Sequence, residues 1–171
     1  MSGKEMRAMN IYARDLVLLI FSFLASLAGF ASVFAHISAL AWVSIAAADL
    51  YLLSLLIVAA MLSDDDEFTK RHKWARLMPH RRAAGLFITV SMMLAIISGF
   101  AGLYVGTNVF PTSKTSLDAF YISFFIMGFS EFTPTPGYGQ LVVLAQLVSA
   151  VLLLVGAFPL LLSRISTFRR L

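Results

Sequence analysis

Cysteine is missing from all 171 residues, which excludes disulfides, thiolate metal sites and cysteine nucleophiles. Charge is scarce as well: 13% of the residues are Asp, Glu, Lys or Arg, against 60% hydrophobic. A water-soluble domain of this length keeps far more of its residues polar, because it must present a wetted surface. The three histidines, His36, His72 and His80, show no His-x-x-x-His or His/carboxylate spacing that would hold a metal. Serine-nucleophile motifs and glycine-rich phosphate loops are also missing. These absences predict a chain that is no enzyme and takes no cofactor. Its net charge of +4 does not predict nucleic-acid binding, because the basic residues flank apolar runs. That arrangement sets membrane topology and meets lipid headgroups.

What the chain has in plenty is long uncharged apolar sequence, with a mean hydropathy of +0.87. Four such runs cover residues 16–35, 39–61, 85–105 and 141–162. Each approaches the ~20 residues that a helix rising ~1.5 Å per residue needs to cross a ~30 Å hydrocarbon core. Backbone amides in lipid must be satisfied within the segment, so the runs are predicted to be helices. Val33-Phe34-Ala35 loosely mimics a signal-peptide cleavage site. The apolar stretch before it is too long for that, and a second run follows at once. The expected class is an all-α membrane protein with four transmembrane helices in a lipid bilayer.

Orientation is predicted from the basic residues. Lys4, Arg7 and Arg14 precede the first run. Lys70, Arg71, Lys73, Arg76, Arg81 and Arg82 lie between the second and third, and Arg164, Arg169 and Arg170 follow the fourth. Only Lys114 falls on the other side, so a multi-pass protein of the cell membrane with both termini cytoplasmic is expected.

Three parts follow from this layout: a two-helix hairpin over 1–62, a basic linker over 63–84, and the remainder over 85–171. The linker opens Asp64-Asp65-Asp66-Glu67, where Ser63 or Asp64 can cap a helix whose first turn suits acidic residues. Phe68, Trp74, Leu77 and Met78 alternate with basic residues, as in a helix lying in the interface; a solvated linker anchored by Trp74 is the plainer alternative. Asp49 is the one acid deep within a run. An intramembrane carboxyl marks either a functional site or a structural group, here one that sits protonated or bonds Ser44 or a hydroxyl of a neighbouring helix. No run carries arginine at every third position, which argues against voltage sensing by a charged helix. Gly99 and Gly102 predict close helix packing.

The third and fourth runs are separated by 35 residues, 106–140, far more than a simple connection needs. Within them Ala119-Phe120-Tyr121-Ile122-Ser123-Phe124-Phe125-Ile126-Met127 is apolar but too short to cross the bilayer. Such a segment is expected to be re-entrant, buried in protein or lining water.

From Asp118 the chain reads D-A-F-Y-I-S-F-F-I-M-G-F-S-E-F-T-P-T-P-G-Y-G and enters a run ending G-A-F-P-L-L-L-S-R. This resembles the pore region of the potassium channel superfamily, over about residues 85–164. Asp118-Ala119 with Tyr121 and Ser123 matches the opening of the pore helix. Glu131-Phe132-Thr133-Pro134 matches the residues just outside the filter, and Gly139 the glycine that precedes the inner helix. The resemblance implies a re-entrant pore helix and pore loop, four copies closed around an axis as a homotetramer, and monovalent cations (K+, with Na+ as a second candidate) as the partners that pass. It places the ion pathway at Ile126, Met127, Gly128, Phe129, Ser130 and Glu131. It also implies a gate hinge where Gly156 and Pro159 weaken the last helix, although both residues are common in ordinary membrane helix packing.

The filter positions depart from T-V-G-Y-G-D, keeping only the first glycine. Potassium filters use rings of backbone carbonyls, and their glycines reach backbone angles that a Cβ resists. Ser130 cannot adopt such angles cheaply, and Ile126 has no hydroxyl to offer. A wider or shorter path with weak selectivity is therefore expected, in which Glu131 forms a carboxylate ring that attracts cations. Thr135-Pro136-Gly137-Tyr138-Gly139 also looks like a filter, but its chemistry equally fits a turn before a helix. Two other readings stay open: a pore-fold protein that does not conduct, and a small transporter using Asp49.

Overall fold

The computed structural model describes residues 3–61, 82–110, 115–128 and 132–157, and contains no strand among them. Helix α1 covers Gly3–Ala35, α2 Ser38–Met61, α3 Arg82–Thr107, α4 Ser116–Met127 and α5 Tyr138–Leu152, which runs on into a π-helical turn, Leu153–Ala157. Four stretches are long and apolar enough to cross a membrane: Tyr12–Ala35, Ser38–Ile57, Ala83–Thr107 and Tyr138–Val155. They fall on the four runs expected from sequence.

The boundaries differ from the apolar runs for local reasons. Helix α1 starts well before residue 16 because no proline interrupts it and Met6, Arg7, Ala8 and Met9 are good helix formers. Helix α3 starts at Arg82, so the end of the basic linker belongs to it. The rest of that linker, with Trp74, His72 and His80, lies outside the described residues. The turn between α1 and α2 puts His36 in the left-handed region (φ 56°), and the Ile37 amide donates to the Ser32 carbonyl at 3.2 Å. That six-to-one bond closes a helix end with orphan carbonyls.

Helices α1, α2 and α3 form one tightly packed layer, with α1 against α3 the most extensive contact. Small residues set the spacing. A Cβ at Gly99 would lie 2.7 Å from Ile45 Cγ1, and one at Gly102 would overlap the Ser32 side chain. Gly29 on α1 is hemmed in by the Ser98 and Ser44 hydroxyls in the same way. The close packing expected at Gly99 and Gly102 is therefore present. Buried hydroxyls join the same layer. Ser44 Oγ lies 2.8 Å from the Ala25 carbonyl and 3.0 Å from the Ala95 carbonyl, so one proton is shared between α1 and α3. Ser26 Oγ donates to the Ser91 carbonyl at 2.6 Å. Bonds of this kind contribute roughly 0.6–2 kcal/mol each between membrane helices.

Helix α4 has 12 residues, hence a length of about 18 Å, short of a ~30 Å core. Its start is fixed by a capping box: the Asp118 amide donates to Thr115 Oγ1 at 3.1 Å and the Thr115 amide to Asp118 Oδ2 at 3.0 Å. Replacing Thr115 by Ala is expected to cost about 1 kcal/mol. Hydrogen exchange should then speed up in the first turn of α4 and stay unchanged in α1–α3.

Candidate functional site in the α3–α4–α5 unit

Helix α4 is seated between α3 and α5 by an apolar stripe. Its buried residues are Ala119, Ile122, Ser123, Ile126 and Met127, which recur at the spacing of one helical face. Leu117, Tyr121, Phe124 and Phe125 are exposed on the rest of its surface. Phe120 reaches α1, with its ring 5.5 Å from that of Phe30.

Inside the stripe runs a polar network that joins all three helices. Ser123 Oγ donates to the Ile97 carbonyl of α3 at 2.8 Å. Gln146 Nε2 of α5 donates to the Ser123 carbonyl at 2.7 Å, with Ser123 Oγ 3.0 Å away. The Tyr104 hydroxyl of α3 donates to Gln146 Oε1. Tyr104, Ser123 and Gln146 are all fully buried, so the Tyr104 hydroxyl depends on Gln146 for its partner, and the Gln146 amide on Tyr104 and Ser123.

These bonds also fix depth. Ile97 lies ten residues back from the Thr107 end of α3, about 15 Å along its axis. Gln146 lies eight residues into α5, about 12 Å from its start. After Gly128 the chain is again beside the end of α3 by residue 135, where the Thr135 amide donates to the Val109 carbonyl at 2.9 Å. Phe132 packs there edge-on against Phe110, with ring centroids 6.2 Å apart.

Of the predicted ion-pathway residues, Ile126 and Met127 form the last turn of α4 and bury their side chains. Gly128 caps that helix at φ −86°, an angle open to any residue, and its amide donates to the Phe125 carbonyl at 3.0 Å. Phe129, Ser130 and Glu131 lie outside the described residues. The C-terminal carbonyls of α4, with the negative end of the helix dipole, precede this segment directly. The rival stretch forms a Pro136–Gly137 turn with Gly137 at φ 80°, and Tyr138 and Gly139 begin α5. A Cβ at Gly139 would collide with the Thr135 side chain, which explains a small residue at this crossing.

Of the two hinge residues, Gly156 falls inside the π turn and Pro159 lies outside the described residues. Asp49 bonds across to α5, not to Ser44: Ser149 Oγ is 2.8 Å from Asp49 Oδ2. Among the described residues no group of three or more His, Cys, Asp or Glu could hold a metal.

Sequence reasoning did not single out Gln146, Tyr104 or Ser149. Gln146 was findable, as the only side-chain amide in the fourth apolar run, because polar residues inside a membrane helix join neighbouring helices. Thr115 was findable too, from the T-x-x-D spacing that opens a capping box. No family profile, curated protein or solved structure matches the chain, so the reading of this site rests on its own geometry.

Proposed function

We propose that the chain is an ion channel, a potassium-channel-like homotetramer that passes monovalent cations with weak or altered selectivity. The observation that carries this reading is the seating of α4: a helix too short to span, bonded at mid-depth to the helices on either side, whose chain then returns to the end it came from. A segment that dips and returns satisfies its backbone only if it is enclosed by protein or lines water. One such loop cannot surround an ion, whereas four copies around an axis can. Exposed Leu141, Leu144, Val148 and Val151 on α5 repeat at alternating three- and four-residue steps, the spacing of a helix that meets further copies of itself. In this reading both termini are cytoplasmic, and the path runs past Gly128, Phe129, Ser130 and Glu131.

The test is flux and reversal potential with the purified protein in vesicles or planar bilayers, exchanging K+ for Na+. Restoring T-V-G-Y-G over the filter positions should raise the preference for K+. Replacing Glu131 by Gln should lower cation conductance several-fold at low salt and much less at high salt, since a carboxylate ring acts through screened electrostatics. Unchanged conductance at both ionic strengths would remove the carboxylate ring from the mechanism. The helical state of Ile126 and Met127 favours a second reading, a pore-fold protein that does not conduct. Complete absence of cation current at all voltages and pH values would select it.

A further inference from the structure

We infer that Asp49 and Ser149 form an intramembrane proton-binding site that sets the hydrogen bonding of α5 where it turns from α to π geometry. The carboxyl lies midway along α2, eleven residues from Ser38, and contacts α5. Its Oδ2 is paired with Ser149, while Oδ1 is buried and no donor among the described residues reaches it. A carboxylate held this way at membrane depth is expensive, and a bound proton removes the charge.

Ser149 makes the proton consequential. Its Oγ lies 2.8 Å from Asp49 Oδ2 and 3.1 Å from the Ala145 carbonyl of its own helix. The two acceptors compete for one hydroxyl proton, and the charge on Asp49 decides which of them it favours. With Asp49 ionised, the hydroxyl donates to the carboxylate in a charge-assisted bond. With Asp49 protonated on Oδ2, the acid donates to Ser149 Oγ, and the hydroxyl proton turns to Ala145. Back-bonding of serine to the carbonyl four residues earlier bends a helix. The bend would fall one turn before Leu153, whose amide points at the carbonyls of both Ser149 and Ala150 as the π turn begins. Helix α2 packs against that turn as well as against α5. Single π turns interrupting an α-helix occur frequently at functional sites.

Among the described residues few other charges bear on the site. The π turn has none, and the only titratable residue of α5 is Tyr138 at its far end. On α3 they are Arg82 and Tyr104, toward opposite ends of the helix. On α1 the nearest are Arg14 and Asp15, a 3.7 Å ion pair. The shared Ser44 bond sets the helix register and puts this pair about 8 Å further along the bundle axis. Tyr51 follows Asp49 by two residues on α2 itself. The proton site exists whether or not the chain conducts; only its effect on flux rests on the channel reading.

The test combines infrared difference spectra with hydrogen exchange on the reconstituted full chain, at acidic and alkaline pH. Expected are a protonated-carboxyl stretch that titrates and is lost in Asp49→Asn, and a pH-dependent change of about threefold or more in exchange of the 153–157 amides after correction for intrinsic rates. Asp49→Asn should hold those amides in their acidic pattern at every pH. Ser149→Ala should keep a titrating band at a displaced frequency while the amides stop responding, and it tests the idea alone if the Asn variant does not purify. A band indifferent to Asp49→Asn, or amides that respond equally in wild type and Ser149→Ala, would overturn the inference. Loss of the channel reading would appear separately, as no flux in any variant with these spectra unchanged.

Discussion

Replacing Gly102 by Val is expected to destabilise the chain by about 3 kcal/mol, at the upper end of what overpacking a filled interior costs. The new side chain has nowhere to go. A Cβ at Gly102 would overlap Ser32 Oγ, lie 2.9 Å from Ser32 Cβ and approach the Ser32 backbone to 3.3 Å. Ser32 is fully buried and its hydroxyl donates to the Gly29 carbonyl at 2.6 Å, so turning it aside breaks a bond inside α1. Relief then requires α1 and α3 to separate along the interface where they pack most closely. Thermal unfolding in detergent measures the loss. Gly106 on the same helix is the control: its nearest neighbour would be 3.7 Å from an added Cβ, ordinary contact distance. Gly106→Ala should be neutral or stabilise by about 0.5 kcal/mol, because alanine is the better helix former. Equal losses at both positions would mean that glycine acts through the backbone and not through packing.

Replacing Gln146 by Leu is expected to cost about 2–4 kcal/mol and to abolish cation flux if the chain conducts. The amide joins α3, α4 and α5 at one point, through Tyr104 on one side and Ser123 on the other. Without it the Tyr104 hydroxyl loses its partner while remaining buried, at about 1–3 kcal/mol, and Ser123 loses its bonds to α5 while its carbonyl keeps its place in the α4 helix. Adding Tyr104→Phe removes that orphan, so the double variant should recover part of the loss. The coupling between the two positions should reach about 0.5–3 kcal/mol, the range for residues in one network. Additive effects would show that the Tyr104–Gln146 bond contributes little. Flux should not return in the double variant, because α4 would still lack its bond to α5.

Much of the fold was legible because the bilayer leaves few options. Uncharged runs of span length admit helices alone, so the four long elements followed from hydropathy, and Gly99 and Gly102 announced the tight layer. The short α4 was legible from its length between two long runs and from its apolar stripe. The partner of Asp49 was not. Either Ser44 or a hydroxyl on another helix could have met it, and only the packing of α2 on α5 decides for Ser149. The π turn was equally hidden. Gly156 and Pro159 predict a weak stretch near the end of the fourth run, but the i→i+5 geometry at Leu153–Ala157 has no composition of its own. The polar network escaped because Tyr104, Ser123 and Gln146 lie far apart in the chain, and each alone is an ordinary polar residue in a helix.

The glycine and serine contacts among α1, α2 and α3 have a mechanical consequence. Those three helices are welded along their length, so they resist shear as one slab. Among the described residues helix α5 has no comparable glycine-to-backbone weld, and its polar pins are two, Gln146 and Ser149, in its C-terminal half. Any displacement in this molecule should therefore pivot a rod against a fixed frame, with the pins as its fulcrum and its two ends swinging in opposite senses.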